Sequence, residues 1–445
     1  MALTLSQELF IQILLTIRDS GDTVINRNHW AFIGNTGVED QQLSEGQKSW
    51  ISVTHVCRLW RHMALASPIV WSLIRIPGCR PQDVPFVQMC LQRSGSTPVD
   101  ILVEEQAITH VLKDIIDLVR LHADHIRCLN LVVEKTHEQI FRIDFPLPML
   151  QTLELRAARA GDSNHFPRQY FIPDPSQLPS LRVLALENVD DPWEWDSSAL
   201  IPLTSIELSG HYYGTGPSAG QYFGLLSTLC NLVTVKLIRF PIPIDMAADH
   251  NLAISLPALR HLTISHWPSH VRSVVDWLEI PLDASIHLTF YQSKNRPDED
   301  HIVRHTIMRL LRRSAATSVH DEDATGDPFK FNCCAMSLSV WSDYDMEIQC
   351  RTSCLRHDTS GVIPLRINFA EWDEENGMET GDVMSDHLDG FGQAVASCGF
   401  ECLHFAGPSM SDEESFIMEF LPHFPDIRLL EIEAIDPSGC ITSLD

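Results

Sequence analysis

The chain lacks any uninterrupted apolar run near the ~20 residues needed to cross a bilayer, which argues against a membrane-spanning helix. Basic residues are scarce. Lys and Arg number 32 against 59 Asp and Glu, a formal net charge of -27. Such an excess of acids argues against nucleic-acid phosphates and anionic membranes as main partners. Its plain reading is solubility, with a basic partner patch as the alternative. The first residues carry Glu8 and no basic segment, so no secretory signal peptide is expected. The twelve cysteines are scattered without the spacing of a small disulfide scaffold. They read as reduced core thiols, which predicts a cytoplasmic or nuclear protein.

Catalytic and metal-binding patterns are also missing. There is no H-E-x-x-H, no P-loop and no dinucleotide fingerprint. Cys350 and Cys354, then Cys398 and Cys402, stand four apart, wider than the usual zinc pairs, and adjacent Cys333 and Cys334 have no partner pattern. Gly216-Pro217-Ser218-Ala219-Gly220 matches G-x-S-x-G. A nucleophile elbow needs a buried strand directly before its serine, and Gly214 and Pro217 interrupt the approach. The stretch therefore reads as a flexible loop. No catalytic residue, metal or cofactor is expected.

Apolar residues make up 44% of the 445, enough for a folded core and for two or three domains. The most informative stretch runs from Ser49 to Trp71. It reads as two short helices, with Val53, Val56, Cys57 and Trp60 at i, i+3, i+4 and i+7, Leu65 continuing the face, and Pro68 stopping the pattern before Trp71. Helices this short cannot bury two tryptophans alone and need a partner surface, inside the chain or on another protein. By spacing alone, Trp60 and Trp71 are core residues of a helical subdomain.

Trp50, Val53, Val56, Cys57, Arg58, Trp60, Arg61, Ala64, Pro68 and Trp71 fill every fixed position of W-x-x-V-x-x-V-C-R-x-W-R-x-x-A-x-x-x-P-x-x-W. This resembles the second half of an F-box in the form common in fungal families. The first half, Leu5 to Leu14, is similar to L-P-x-E-(I/L)-x-x-x-I-(F/L), with Ser6 in place of the proline. A serine also caps a helix start. The insertion from Asp19 to Lys48 is longer than usual, and long surface loops cost little. His29-Trp30-Ala31-Phe32-Ile33 within it is apolar for a loop, which suits packing back on the domain or an added partner contact.

A second pattern, L-x-x-L-x-L, recurs at Ile126/Leu129/Leu131, Leu150/Leu153/Leu155, Leu181/Leu184/Leu186, Leu203/Ile206/Leu208, Leu232/Val235/Leu237 and Leu259/Leu262/Ile264, and again at Ile427/Leu430/Ile432. The last two positions of each lie two apart and share one strand face. The spacing resembles a leucine-rich repeat. The Asn or Cys that usually follows is replaced by Glu134, Ala158, Val189, His211, Phe240 and Trp267, so the likeness is to a degenerate form. Leu147-Pro148, Leu178-Pro179 and Leu256-Pro257 announce units. Further strands are expected at 99–103, 335–341, 346–350, 365–369, 402–405 and 429–432. Helices are expected at 84–93, 108–122, 302–311, 383–397 and 413–421. Val111, Leu112, Ile115, Ile116 and Val119 should form the buried side of the second of these helices. The segments 321–328 and 371–382 read as exposed acidic loops.

The expected fold is α/β: a small all-α F-box domain followed by an irregular leucine-rich-repeat-like α/β solenoid. A different α/β arrangement stays open. The boundaries would be 1–76 with its internal loop 19–48, a connecting helical segment 77–123, and the solenoid 124–445. The resemblance implies an adaptor of a Skp–cullin–F-box ubiquitin ligase, docking on a Skp-type adaptor and through it a cullin while the solenoid binds an unknown protein substrate. It assigns Leu5, Leu9, Ile13, Val53, Val56, Trp60, Pro68 and Trp71 to the docking domain, some as core and some as contacts. The rivals are an F-box-like scaffold outside any ligase and a hydrolase centred on Ser218.

Overall fold

A computed structural model of the chain describes residues 6–20, 51–52, 54–76, 80–103, 109–134, 145–158, 177–187, 200–210, 219–240, 253–281, 284–292, 301–303, 305–306, 309–310, 335–342, 345–351, 362–371, 402–407 and 429–434. The fold is mixed α/β and built on parallel strands. It divides into two compact units, Met1–Leu203 and Thr204–Asp445. No helix among the described residues is long and apolar enough to cross a membrane.

The first unit opens with helices α1 (Gln7–Ser20) and α2 (Arg58–Leu65) and a short 3-10 turn, Pro68–Trp71. Strands β1 (Leu73–Ile76), β2 (Val99–Val103), β3 (Ile126–Glu134), β4 (Thr152–Ala158) and β5 (Val183–Glu187) then pair in chain order, all parallel. Helix α3 (Asp83–Ser94) connects β1 to β2, and α4 (Thr109–Leu121) connects β2 to β3. Val111, Leu112, Ile115, Ile116 and Val119 are buried on α4, as their spacing predicts.

In the second unit, β6 (Ser205–Ser209), β7 (Thr234–Ile238), β9 (His261–His266) and β11 (Ser285–Gln292) pair in that order, parallel throughout. Helix α5 (Ala219–Thr228) lies between β6 and β7 in the chain, and α6 (Pro268–Trp277) follows β9. The short strands β8 (Ile254–Ser255) and β10 (Leu278–Glu279) pair with each other. Beyond β11 the order becomes β14 (Val362–Glu371), β13 (Asp345–Arg351), β12 (Ala335–Ser342), β15 (Cys402–Gly407) and β16 (Leu429–Ala434). Strand β13 runs against both its neighbours, so β12, β13 and β14 form a meander inside the parallel order.

The apolar triplets explain the sheets. All eighteen side chains of the six triplets from Ile126 to Ile264 are buried, none more than 5% exposed. Register aligns them. Ile74, Ile101, Leu129, Leu153 and Leu184 form one line across the first unit. Ile206, Val235, Leu262 and Ile286 form another across the second, beside Leu208, Leu237, Ile264 and Leu288. Because strand side chains alternate, this puts every triplet's strand pair on one core face.

Strands β4, β5, β6, β7 and β9 are entered through the same turn. The N–H groups of Leu150, Leu181, Leu203, Leu232 and Leu259 donate to the carbonyls of Leu147, Leu178, Leu200, Leu229 and Leu256, at 2.9–3.1 Å. Those five acceptor leucines are buried too. Pro148, Pro179 and Pro257 sit second in their turns, where a fixed φ helps and no N–H is required. The residue after each entering leucine reaches the preceding unit: Gln151 N–H donates to Arg127 O, Arg182 to Gln151 O, Val233 to Thr204 O and Arg260 to Val233 O, each at 2.8 Å.

Two strands of the series lie outside the sequence expectation. In β1, Trp71, Ile74 and Ile76 obey the triplet spacing and are all buried, and Asp100 N–H donates to Ser72 O at 2.8 Å in the same ladder. In β11, Ile286, Leu288 and Phe290 alternate inward, but the residue three before Ile286 is Asp283, which breaks the triplet. The strands expected at 335–341, 346–350, 365–369, 402–405 and 429–432 are present, each one to five residues longer than the expected span. The insertion from Asp19 to Lys48 lies outside the described residues apart from its first two positions. The helices expected at 383–397 and 413–421, the loop expected at 321–328 and Ile427 also lie outside them, as does the loop expected at 371–382 except for Glu371, which instead ends β14.

Candidate functional site

The helical head of the first unit concentrates the exposed apolar surface. Ser6 starts α1: its hydroxyl accepts the Leu9 N–H at 3.2 Å and its carbonyl the Phe10 N–H at 3.0 Å. Helix α1 then buries Phe10 and Leu14 completely. Helix α2 begins at Arg58, later than the apolar spacing suggests. Ahead of it, Thr54 N–H bonds Ile51 O and His55 N–H bonds Ser52 O, both at 2.9 Å. Cys57 is then extended, φ -154 and ψ 166, and its sulfur accepts the Trp60 N–H at 3.5 Å. Val56 and Cys57 therefore precede the helix and do not share its face with Trp60. Helix α2 ends at Leu65, before Pro68, and Pro68 opens the turn into β1.

The two helices meet ring to ring. Phe10 and Trp60 lie 5.0 Å apart at 48°. The Trp71 indole N–H donates to Ala64 O at 2.9 Å, and the Arg93 guanidinium lies 4.5 Å over the Trp71 ring. Arg18, at the end of α1, donates to Ile69 O at 2.9 Å and is held by Asp19 at 2.8 Å. The head is thus fixed at both ends, and Trp71 joins it to α3 and the sheet.

Of nine exposed large apolar side chains among the described residues, five belong to this head: Leu9, Val56, Leu59, Leu65 and Ile69. Val56 is 63% exposed, Leu59 57% and Leu9 51%. Among the residues that the resemblance assigns to docking, Leu9, Val56 and Pro68 are exposed, Ile13 and Trp60 are half-buried, and Trp71 is core. Leu5 and Val53 lie outside the described residues. Leu59 and Ile69 occupy variable positions of the motif and carry no signal there, while Leu65, expected to continue the apolar face with Trp60, is exposed. On α2, Met63 and Ala64 are buried while Leu59 and Leu65 are exposed.

The outward strand faces carry polar and charged side chains among a few apolar ones such as Leu73, Leu102, Val183 and Ile238. In the first unit they carry ion pairs, Arg127–Asp100 at 2.6 Å and Arg156 with Glu154 at 3.5 Å and Glu187 at 3.9 Å. In the second, Ser205, Thr234, His261 and Ser285 lie on one register line beside Glu207, Lys236, Thr263 and His287. Lys236 pairs with Glu207 at 2.9 Å.

At the carboxyl ends of β7, β9 and β11, Arg239 takes a left-handed backbone, φ 49, and lays its guanidinium 5.2 Å over Tyr291. Trp267 meets the same ring edge-on at 6.4 Å. His266 and His270 stack at 4.0 Å, both 2% exposed. The Trp267 N–H donates to His266 Nδ1 at 2.7 Å, so that nitrogen is unprotonated. Burial, then the neighbouring His270, push His266 down to about 3. A neutral stacked imidazole suits a structural role here better than proton transfer. Burial likewise pushes the Cys90 thiol up to about 12, which keeps it un-ionised and inert.

No group of three side chains among the described residues could hold a metal ion. Ser218, Cys333, Cys334, Cys354, Cys398 and the segment 29–33 lie outside the described residues, as do the side chains of Cys350 and Cys402. No protein-family model and no curated protein matches the chain.

Proposed function

We propose that this chain is the substrate-recognition adaptor of a Skp–cullin–F-box ubiquitin ligase. The helical head is an F-box that docks on a Skp-type adaptor, and through it on a cullin. The parallel strands beyond it form a leucine-rich-repeat-like solenoid whose polar face holds a protein substrate. The chain itself performs no catalysis and works in the cytoplasm or nucleus.

The observation that carries this reading is the clustering of exposed apolar side chains on a head whose own core is already closed. Phe10, Leu14, Met63, Ala64, Val70 and Trp71 are buried, while Leu9, Val56, Leu59, Leu65 and Ile69 face water. Exposed apolar residues grouped on one small module, with the core satisfied without them, mark a surface kept for another protein. The motif from Trp50 to Trp71 names the kind of partner.

The test is co-purification of the full chain with a Skp-type adaptor and a cullin. Leu9→Ala with Pro68→Ala alters only exposed positions, so the chain should stay folded and lose adaptor binding. Undiminished binding by that folded variant would refute these contacts. Capture of a protein partner without the adaptor or cullin would point to a scaffold outside the ligase.

A further inference from the structure

The charge on α2 runs against both the chain and the helix. From Gly46 to Gln82 the sequence has no Asp or Glu, although acids number 59 overall, and it carries Lys48, Arg58, Arg61, Arg75 and Arg80. Helix α2 therefore has no acid in its first turn and places Arg58 at its first position. A helix start bears partial positive charge, so a cation there is unfavourable. Arg58 and Arg61 are also neighbours three apart, a like-charged pair. Neither has a carboxylate within salt-bridge reach among the described residues. Cys57 is a weaker cap than the Ser, Thr, Asp or Asn usual at that place.

These conflicts occur on the exposed face. Arg58, Arg61, His62 and Leu65 are all exposed, while Met63 and Ala64 are buried and Trp60 half-buried. At helical spacing Arg58 lies beside Arg61 and His62, and both of these lie beside Leu65. The apolar contact residue thus sits inside a basic stripe. Local rules broken together at one surface mark a functional demand.

We infer that α2 docks on a protein surface whose apolar groove is edged by carboxylates, and that Arg58 and Arg61 steer and orient the approach. This rests on the docking reading above and adds the chemistry of the partner. An acidic rim would neutralise the like-charged pair and the unfavourable helix start together. Overall repulsion from a -27 chain is screened within about 8 Å at physiological salt, so local charge governs the final encounter.

The experiment measures association and dissociation rates of the full chain with a purified Skp-type adaptor at low and high salt. The proteins compared are wild type, Arg58→Gln/Arg61→Gln, Arg58→Glu/Arg61→Glu and Leu59→Ala. The glutamine variant should associate about tenfold more slowly at low salt and match wild type at high salt. The glutamate variant should associate more slowly still, yet melt no lower than wild type, because an acid suits a helix start. Leu59→Ala should act mainly on dissociation. A merely structural role for the arginines would couple lost binding to lost stability. Wild-type binding with no effect of the arginine variants on association would overturn this inference and leave the docking reading standing. Absence of binding by the folded wild type would overturn both.

Discussion

Trp71 is a core residue, as its spacing predicts: its indole N–H bonds Ala64 O, Arg93 covers its ring, and only 2% of it is exposed. Trp71→Ala should destabilise the first unit by about 3–5 kcal/mol, the usual cost of emptying a large aromatic site. Trp71→Phe should cost less, with about 1 kcal/mol of it from the lost hydrogen bond. Chemical denaturation of the two variants against wild type measures both. The cysteines separate by environment in the same way. Cys57 and Cys230 are exposed while Cys90 is buried with its thiol held at about 12. A maleimide probe should label Cys57 and Cys230 in the native chain and reach Cys90 only after unfolding, as peptide mapping would show.

His266 gives a pH dependence with a definite sign. Its folded value is pushed from the ordinary 6.5 to about 3, first by burial and then by His270, so the folded chain resists a proton that the unfolded chain accepts. The resulting stabilisation is complete above pH 6.5 and is lost as pH falls from there toward 3, at up to about 1.4 kcal/mol per pH unit. His266→Leu should therefore lose less stability than wild type between pH 6.5 and 5. Equal slopes in thermal melts over that range would show that the imidazole takes no part.

At the scale of the element, the strand faces differ in what they contribute. Leu262 is 1% exposed and aligned with Val235 and Ile286, whereas Thr263 next to it is only half-buried on the polar face. Leu262→Ala should cost about 2–5 kcal/mol, and Thr263→Ala less than about 0.5. Urea denaturation of the pair checks the assignment of faces. The six triplets were legible because a strand's period of two is a strong sequence signal and leucine dominates it. Strand β11 was not, because Asp283 replaces the apolar residue at the entering position, although Ile286, Leu288 and Phe290 alternate correctly. Strand β1 was hidden for another reason: Trp71 had already been claimed by the helical motif, and four residues are too short to declare a period. The start of α2 was misplaced because spacing alone cannot see that Cys57 turns its sulfur onto the Trp60 amide.

For the whole molecule, composition and pattern decide the class and tertiary structure decides the surface. The sequence by itself determined that the core is built from repeated apolar triplets, that α4 buries one stripe, and that the chain's acids greatly outnumber its bases. These follow from periodicity and counting, which fold with any backbone that satisfies them. The candidate site was legible only as a motif. Which of its residues are exposed depends on which neighbours cover each side chain. Only the tertiary structure left Leu59 and Leu65 in water. Exposure is set by packing between segments far apart in the chain, such as Arg93 on Trp71 and Phe10 on Trp60, and no local spacing encodes those approaches.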